Sequence, residues 1–214
     1  MHAIRRGPVS VASTMVPSES LNGMRENGPE IDSGSIRYQG KAVDDREWIV
    51  EFLSQQQTGV LGLVDGEEPH LVTQLFVYDD EEGAIFVHGA QAGRAHDIVS
   101  ASKGARACFT TSESGRYIPA DEPVNFTVEY ASVVAYGIVG FVEERSAKRS
   151  ILERFMAKFA PHLTPGEEYE EMSVESVDRT AVYRLDVERM SAKQGEKEPE
   201  YPGAYDLDAV RESR

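Results

Sequence analysis

Between residues 87 and 97 the chain reads Val-His-Gly-Ala-Gln-Ala-Gly-Arg-Ala-His-Asp. This run leaves a β-like stretch, crosses small residues and enters a helical pattern. A strand-to-helix junction of this kind presents unpaired backbone N–H groups at the positive end of a helix dipole. Gly89 and Gly93 carry no Cβ and let a ligand approach the main chain closely. Arg94 adds a planar cationic fork that suits a phosphate. A cation at a helix start is unfavourable for the dipole, so Arg94 needs a compensating anion. That anion is either a bound phosphate or a surface carboxylate of the same chain, and the residue types leave both open.

Other catalytic signatures are missing. There is no Gly-x-Ser-x-Gly elbow, no phosphate loop, no His-Glu-x-x-His and no Gly-x-Gly-x-x-Gly. The histidines are His2, His70, His88, His96 and His162. His88 and His96 stand eight residues apart without a carboxylate spacing that would support a metal pair, so they read as polar loop histidines. Cys108 is the single cysteine, which excludes an intramolecular disulfide and a multi-cysteine zinc or iron–sulfur centre.

Composition narrows the classes further. In 214 residues, 37 acids outnumber 22 Lys+Arg, for a net charge of −15. Duplex nucleic acid requires the opposite sign, because affinity there comes from cations displacing counterions on phosphates. An anionic membrane surface is disfavoured for the same reason, and no apolar run approaches the roughly 20 residues of a membrane span. At 40% hydrophobic the chain is too apolar for disorder. The expectation is a soluble cytoplasmic protein. The bases are mostly arginine, with only Lys41, Lys103, Lys148, Lys158, Lys193 and Lys197 as lysines. An acid-rich, lysine-poor surface fits a high-salt environment and fits equally an ordinary acidic protein of a GC-rich genome.

The elements that must position the 87–97 junction follow from periodicity. Residues 1–36 carry Gly, Pro, Ser and Asn clusters without a repeat and read as an N-terminal arm; their interrupted apolar stretch argues against a secretory signal. Asp44 or Asp45 caps a helix to about residue 57, with Trp48, Ile49, Phe52 and Leu53 on one face. Strands are expected at 59–64, 71–78 and 84–88, separated by two acidic turns. A short helix fits 94–102 and a strand 105–111; residues 112–123 read as a loop around Gly115, Pro119 and Pro123. A long β-rich run covers 126–142, with Gly137 and Gly140 as bends or bulges. An amphipathic helix fits 146–160, and a last strand fits 180–187. The acidic stretch 196–214 reads as a tail docked through Tyr201 and Tyr205. Close-set hairpin links argue for a meander rather than βαβ units, and some six strands with two or three outer helices close most naturally as a small antiparallel barrel.

The order of several motifs resembles a known family. Leu71-Val72-Thr73-Gln74-Leu75-Phe76-Val77-Tyr78, then Ile85-Phe86-Val87-His88-Gly89-Ala90, Gly93-Arg94 and Ala105-Arg106-Ala107-Cys108-Phe109-Thr110 are similar to the FMN-binding split barrels related to pyridoxamine 5'-phosphate oxidase. Within these, the chain most resembles the nitroimidazole-resistance (Nim-like) branch, through 130–137, 155–161 and 187–193. The likeness spans residues 37–195. It implies a mainly β protein: a six-stranded antiparallel split β-barrel of Greek-key type, paired into a homodimer with FMN at the subunit interface. By this resemblance Gly89, Arg94 and Ala95 would hold the phosphate, with Gly93 where the family usually has a second basic residue. Thr73, Gln74 and Leu75 would line the isoalloxazine ring, with His88 and Ser132 close to the cofactor and Lys193 reaching the partner's flavin. The family likeness implies an oxidoreductase acting on a nitro compound or quinone, with NAD(P)H as electron donor. Gln74 stands where some Nim-like proteins place a histidine, and no residue set for a pyridoxamine phosphate substrate is evident. A non-catalytic flavin module remains an alternative, as does a haem-binding one with His70, His88 or His96 as axial ligand.

Overall fold

A computed structural model describes residues 28–102 and 104–213. Asp45 starts the first helix, α1 (Arg46–Gln55), its carboxylate accepting hydrogen bonds from the Glu47 and Trp48 amides at 2.9 and 3.3 Å. Ile49, Phe52 and Leu53 form its buried face. Two further helices flank the sheet. α2 (Arg94–Ser100) buries Ile98 and Val99, and α3 (Arg145–Phe159) buries Ile151 and Phe155. Glu144 caps α3 by accepting from the Ala147 amide. Among the described residues no helix is long and apolar enough to cross a membrane.

Six long strands make the frame: β3 (Thr58–Asp65), β4 (Glu68–Leu75), β6 (Ala84–Ala90), β7 (Ala105–Ile118), β8 (Thr127–Phe141) and β9 (Thr180–Gly195). With the short β5 (Val77–Asp79) they form one antiparallel sheet in the order β4-β3-β7-β8-β9-β6-β5. Its two outermost strands, β4 and β5, are consecutive in the chain and separated only by Phe76. A single kinked strand thus joins both ends of the curled sheet, which is the expected split barrel. Leu61, Leu63, Phe76, Phe109, Val133, Leu185 and Met190 fill its interior, and the buried face of α1 packs against them. Each such side chain contributes about 1.5–3 kcal/mol on burial. A smaller cluster, Val77, Phe86, Val182, Ile151 and Phe155, fastens α3 to the outside of β6.

The structure also extends the sequence reading. β7 continues to Ile118, through residues expected to form a loop. Across the irregularity between Ser114 and Tyr117, Arg116 makes a double contact with Glu129 of β8 that holds the hairpin together. β9 runs to Gly195 rather than 187, because the alternation of Met190 and Ala192 with outward residues carries the sheet on. β1 (Glu30–Ile31) and β2 (Ala42–Val43) add to β9, and α4 (Val174–Arg179) and α5 (Leu207–Glu212) bring the α-helices among the described residues to five. Most of the expected arm over 1–36 lies outside the described residues; its last part supplies β1 and the buried Ile36. In the tail, Tyr205 exchanges two backbone hydrogen bonds with Tyr117, and the two rings stack at 5.7 Å. Lys197 Nζ lies 5.1 Å from the Tyr201 ring.

Candidate functional site

Register places one set of side chains on the outer face of the barrel. Cys108 of β7 lies opposite Gly62 of β3 and Tyr136 of β8; Leu71 of β4 lies opposite Gly62, and Arg189 of β9 opposite Tyr136. Directly paired residues share a face, so Leu71, Cys108, Tyr136 and Arg189 form one row. The next row holds Thr73, Val60, Thr110, Val134 and Ser191. The third includes Ser112, Ser132 and Lys193.

Across the first row runs a groove of about 500 Å³, lined by Val64, Pro69, Leu71, Cys108, Tyr136 and Arg189 among others. Its walls are apolar and exposed, Val64 by 59% and Leu71 by 66%. The Arg189 guanidinium covers the Tyr136 ring at 4.0 Å, and the Arg106–Glu188 ion pair borders the same groove. A flat, largely apolar ring system suits such walls.

At the β3–β4 turn Asp65 and Glu68 hold Arg94 at 2.8 and 2.7 Å; they pair one residue beyond Val64 and Pro69, which line the groove, and so alternate to the other face. These two bonds, Glu68 first, push the guanidinium pKa upward and keep it charged. Of the two anions open to Arg94, the fold supplies the carboxylate. Beside it, the amides of the first turn of α2 have no side-chain cap. Gly93 enters that turn at φ +101°, a conformation suited to glycine, and a Cβ there would meet open space.

The sequence-predicted site residues divide by face. Thr73, Leu75, Ser132 and Lys193 lie on the outer face, and Ser132 pairs directly with Lys193. Gln74 alternates to the other side of β4, opposite Gly59, so Thr73 and Gln74 cannot contact one face of a ligand together. His88 turns under α3, its ring edge-on to Phe155 at 4.7 Å, and burial lowers its pKa. Gly89 pairs with Ala181 at the end of β6. Ala95 packs partly into the core and can offer only its backbone to a ligand. Sequence reasoning did not assign Val64, Leu71, Tyr136 or Arg189 to a site. Alternation along β4 and β8 was the available signal, but it acquires meaning only once the register across β3 and β7 is known.

The fold has solved counterparts. The flavocytochrome Anf3 from Azotobacter vinelandii is 22% identical, with 86% of this chain and 82% of that chain covered at a TM-score of 0.67. The FAD and heme binding protein from Mycobacterium smegmatis is 18% identical, covering 81% and 80% at 0.65. A putative 5-nitroimidazole antibiotic resistance protein from Bacteroides thetaiotaomicron is 19% identical, covering 72% and 86% at 0.57. These likenesses establish the shared architecture. No curated protein matches the sequence. The family model described as pyridoxamine 5'-phosphate oxidase matches residues 45–194, from the cap of α1 to the penultimate residue of β9. That span takes in the curled sheet, the groove on its outer face and α2, and the chain belongs to the pyridoxamine 5'-phosphate oxidase family.

Proposed function

We propose that this protein binds FMN in the outer-face groove, between two copies packed sheet to sheet, and works as an oxidoreductase on a small oxidised substrate with NAD(P)H as donor. The observation that carries the reading is the exposed, largely apolar groove on the outer face of the sheet. Leu71, Val64 and Tyr136 offer walls for a ring, and the α2 amides offer donors for a phosphate. The structural counterparts named for flavin, FAD with heme, or nitroimidazole resistance support flavin chemistry on this fold. A single cationic fork, shared with two carboxylates in a chain of charge −15, favours one phosphate over the pyrophosphate of FAD.

Bound FMN supplies a two-electron relay from a reduced nicotinamide to an acceptor such as a nitro compound or a quinone. The chain's own residues bind and orient. Arg94 and the first amides of α2 anchor the anionic end, and Thr73 offers a hydroxyl to the ring edge. Ser132 and Lys193 stand further along the same face, where a second copy would meet them. Haem binding is less well served: His88 lies packed against Phe155 beneath α3, and His70 pairs with the core residue Leu63.

Fluorescence titration of the apoprotein with FMN tests the anchor. Arg94→Ala should weaken FMN about tenfold to a hundredfold, the range for a lost charge-assisted contact. Asp65→Asn combined with Glu68→Gln frees Arg94 and should tighten it. An unchanged dissociation constant in both variants removes Arg94 from the site.

A further inference from the structure

The outer-face groove holds one cation set against an aromatic ring, and a bulge puts it there. Tyr136 pairs with Arg189 and Gly137 with Val187, so Glu188 of β9 is an extra residue. Val187 and Met190 on either side are buried, and the two residues between them both line the groove. A regular strand would have turned one of the two inward. Glu188 pairs with Arg106 at the border. Arg189 lies over the Tyr136 ring, its guanidinium carbon 4.0 Å from the ring centroid.

A support behind the groove holds Arg189 in place. Its Nη1 donates to Asp32 Oδ2 at 3.2 Å. The other Asp32 oxygen accepts from the Ser35 amide at 3.1 Å, and the Asp32 amide donates to the Met190 carbonyl at 2.7 Å. Asp32 itself does not line the groove. The carboxylate is thus fixed by the main chain, and it binds Arg189 through an edge nitrogen, which leaves the guanidinium face for stacking. That face is weakly hydrated and stacks on aromatic surfaces.

We propose that Arg189 is the residue that meets the cofactor ring in this groove and shifts its affinity toward the reduced form. The inference rests on the reading of the groove as the FMN site, and it adds which residue sets the redox preference there. A hydride from a reduced nicotinamide carries one proton and two electrons, so a neutral ring that accepts it gains one net negative charge. A guanidinium over the ring favours that charge, more so once a second copy excludes water from the groove. Arg106 and Glu188 offset each other at the border, which leaves Arg189 as the cation at the Tyr136 wall. Asp32 moderates it from behind.

Reduction potentials of free and bound FMN, measured on the full chain against a reference dye, give the ratio of affinities for reduced and oxidised cofactor. Arg189→Met should lower that ratio about tenfold, which is about 30 mV for a two-electron couple. Arg189→Lys keeps the charge and should stay within about threefold of the native ratio. Asp32→Asn removes the opposing carboxylate and should raise the ratio; it decides the matter where Arg189→Met does not fold or does not bind FMN. An unchanged ratio in Arg189→Met, an equal loss in Arg189→Lys, or a ratio in Asp32→Asn at or below the native one would each overturn the proposal. Bound FMN with an unmoved ratio ends this inference alone, whereas a native protein that binds no FMN ends the flavin reading and this one with it.

Discussion

Glu129 concentrates more interactions than any carboxylate near the tail. Its oxygens accept from the Arg116 guanidinium at 2.7 and 2.9 Å and from the Lys197 amide at 2.8 Å, and Arg116 also donates to the Lys197 and Glu198 carbonyls. The Arg116 bond, then the Lys197 amide, lower its pKa from the ordinary 4.5 to about 2. A depressed carboxylate pKa adds stability that is complete above the unfolded value and lost as pH falls through the folded one. Glu129→Gln should therefore lower the melting temperature at pH 7, and the gap from the native protein should close between about pH 4.5 and 2. A gap independent of pH would show that the charge does not hold the clasp. Arg94 illustrates what was legible at this scale. Its type and place at a helix start marked it as a cation in need of an anion, but Asp65 and Glu68 reach it only through the fold. The burial of Lys148 left no local mark, because it depends on how α3 packs over β5, β6 and β9.

At the scale of elements, helices and hairpins were largely readable, and the places where strands bend were not. The sequence suggested one strand over 71–78. The structure breaks it at Phe76, whose ring goes inward to meet Phe109 at 4.8 Å. Lys158 of α3 donates to the Phe76 carbonyl at 3.1 Å and lies 4.4 Å from its ring, and burial lowers the ammonium pKa to about 8. A partner so distant in sequence leaves no local mark. Gly137 and Gly140 both read as bends, yet they differ. The register of β8 on β9 shifts between Tyr136 and Gly137, leaving Glu188 as the extra residue, and a Cβ on Gly137 would fall 1.9 Å from the Asp186 carbonyl oxygen. Gly140 has nothing within 4 Å of such a Cβ. Gly137→Ala should cost at least about 2 kcal/mol in chemical denaturation, whereas Gly140→Ala should leave stability within about 0.5 kcal/mol. Equal effects at both positions would dissociate the bulge from the close approach.

Over the whole molecule, the barrel buries its interior and leaves an exposed apolar strip along β3 and β4, where Val64, Leu71 and Leu75 are 59, 66 and 42% accessible. A contiguous patch of this kind marks an interaction surface, and a second copy facing it would cover the groove. Size-exclusion chromatography with light scattering should find a dimer, and Leu71→Arg should give a monomer that melts as the native protein does and binds FMN weakly. A monomeric native protein with full FMN affinity would separate cofactor binding from pairing. The split-barrel class was legible because hairpin spacing and the motif order from Leu71 to Lys193 depend on local pattern. The outer groove was not, since Leu71, Cys108 and Tyr136 meet only through pairing across three strands. The groove's occupant is decided most directly by titrating the apoprotein with FMN and following the visible flavin bands of the mixture. Saturation at one FMN per chain with a micromolar or lower dissociation constant is expected, and a protein that leaves the spectrum of free FMN unaltered at those concentrations would contradict it.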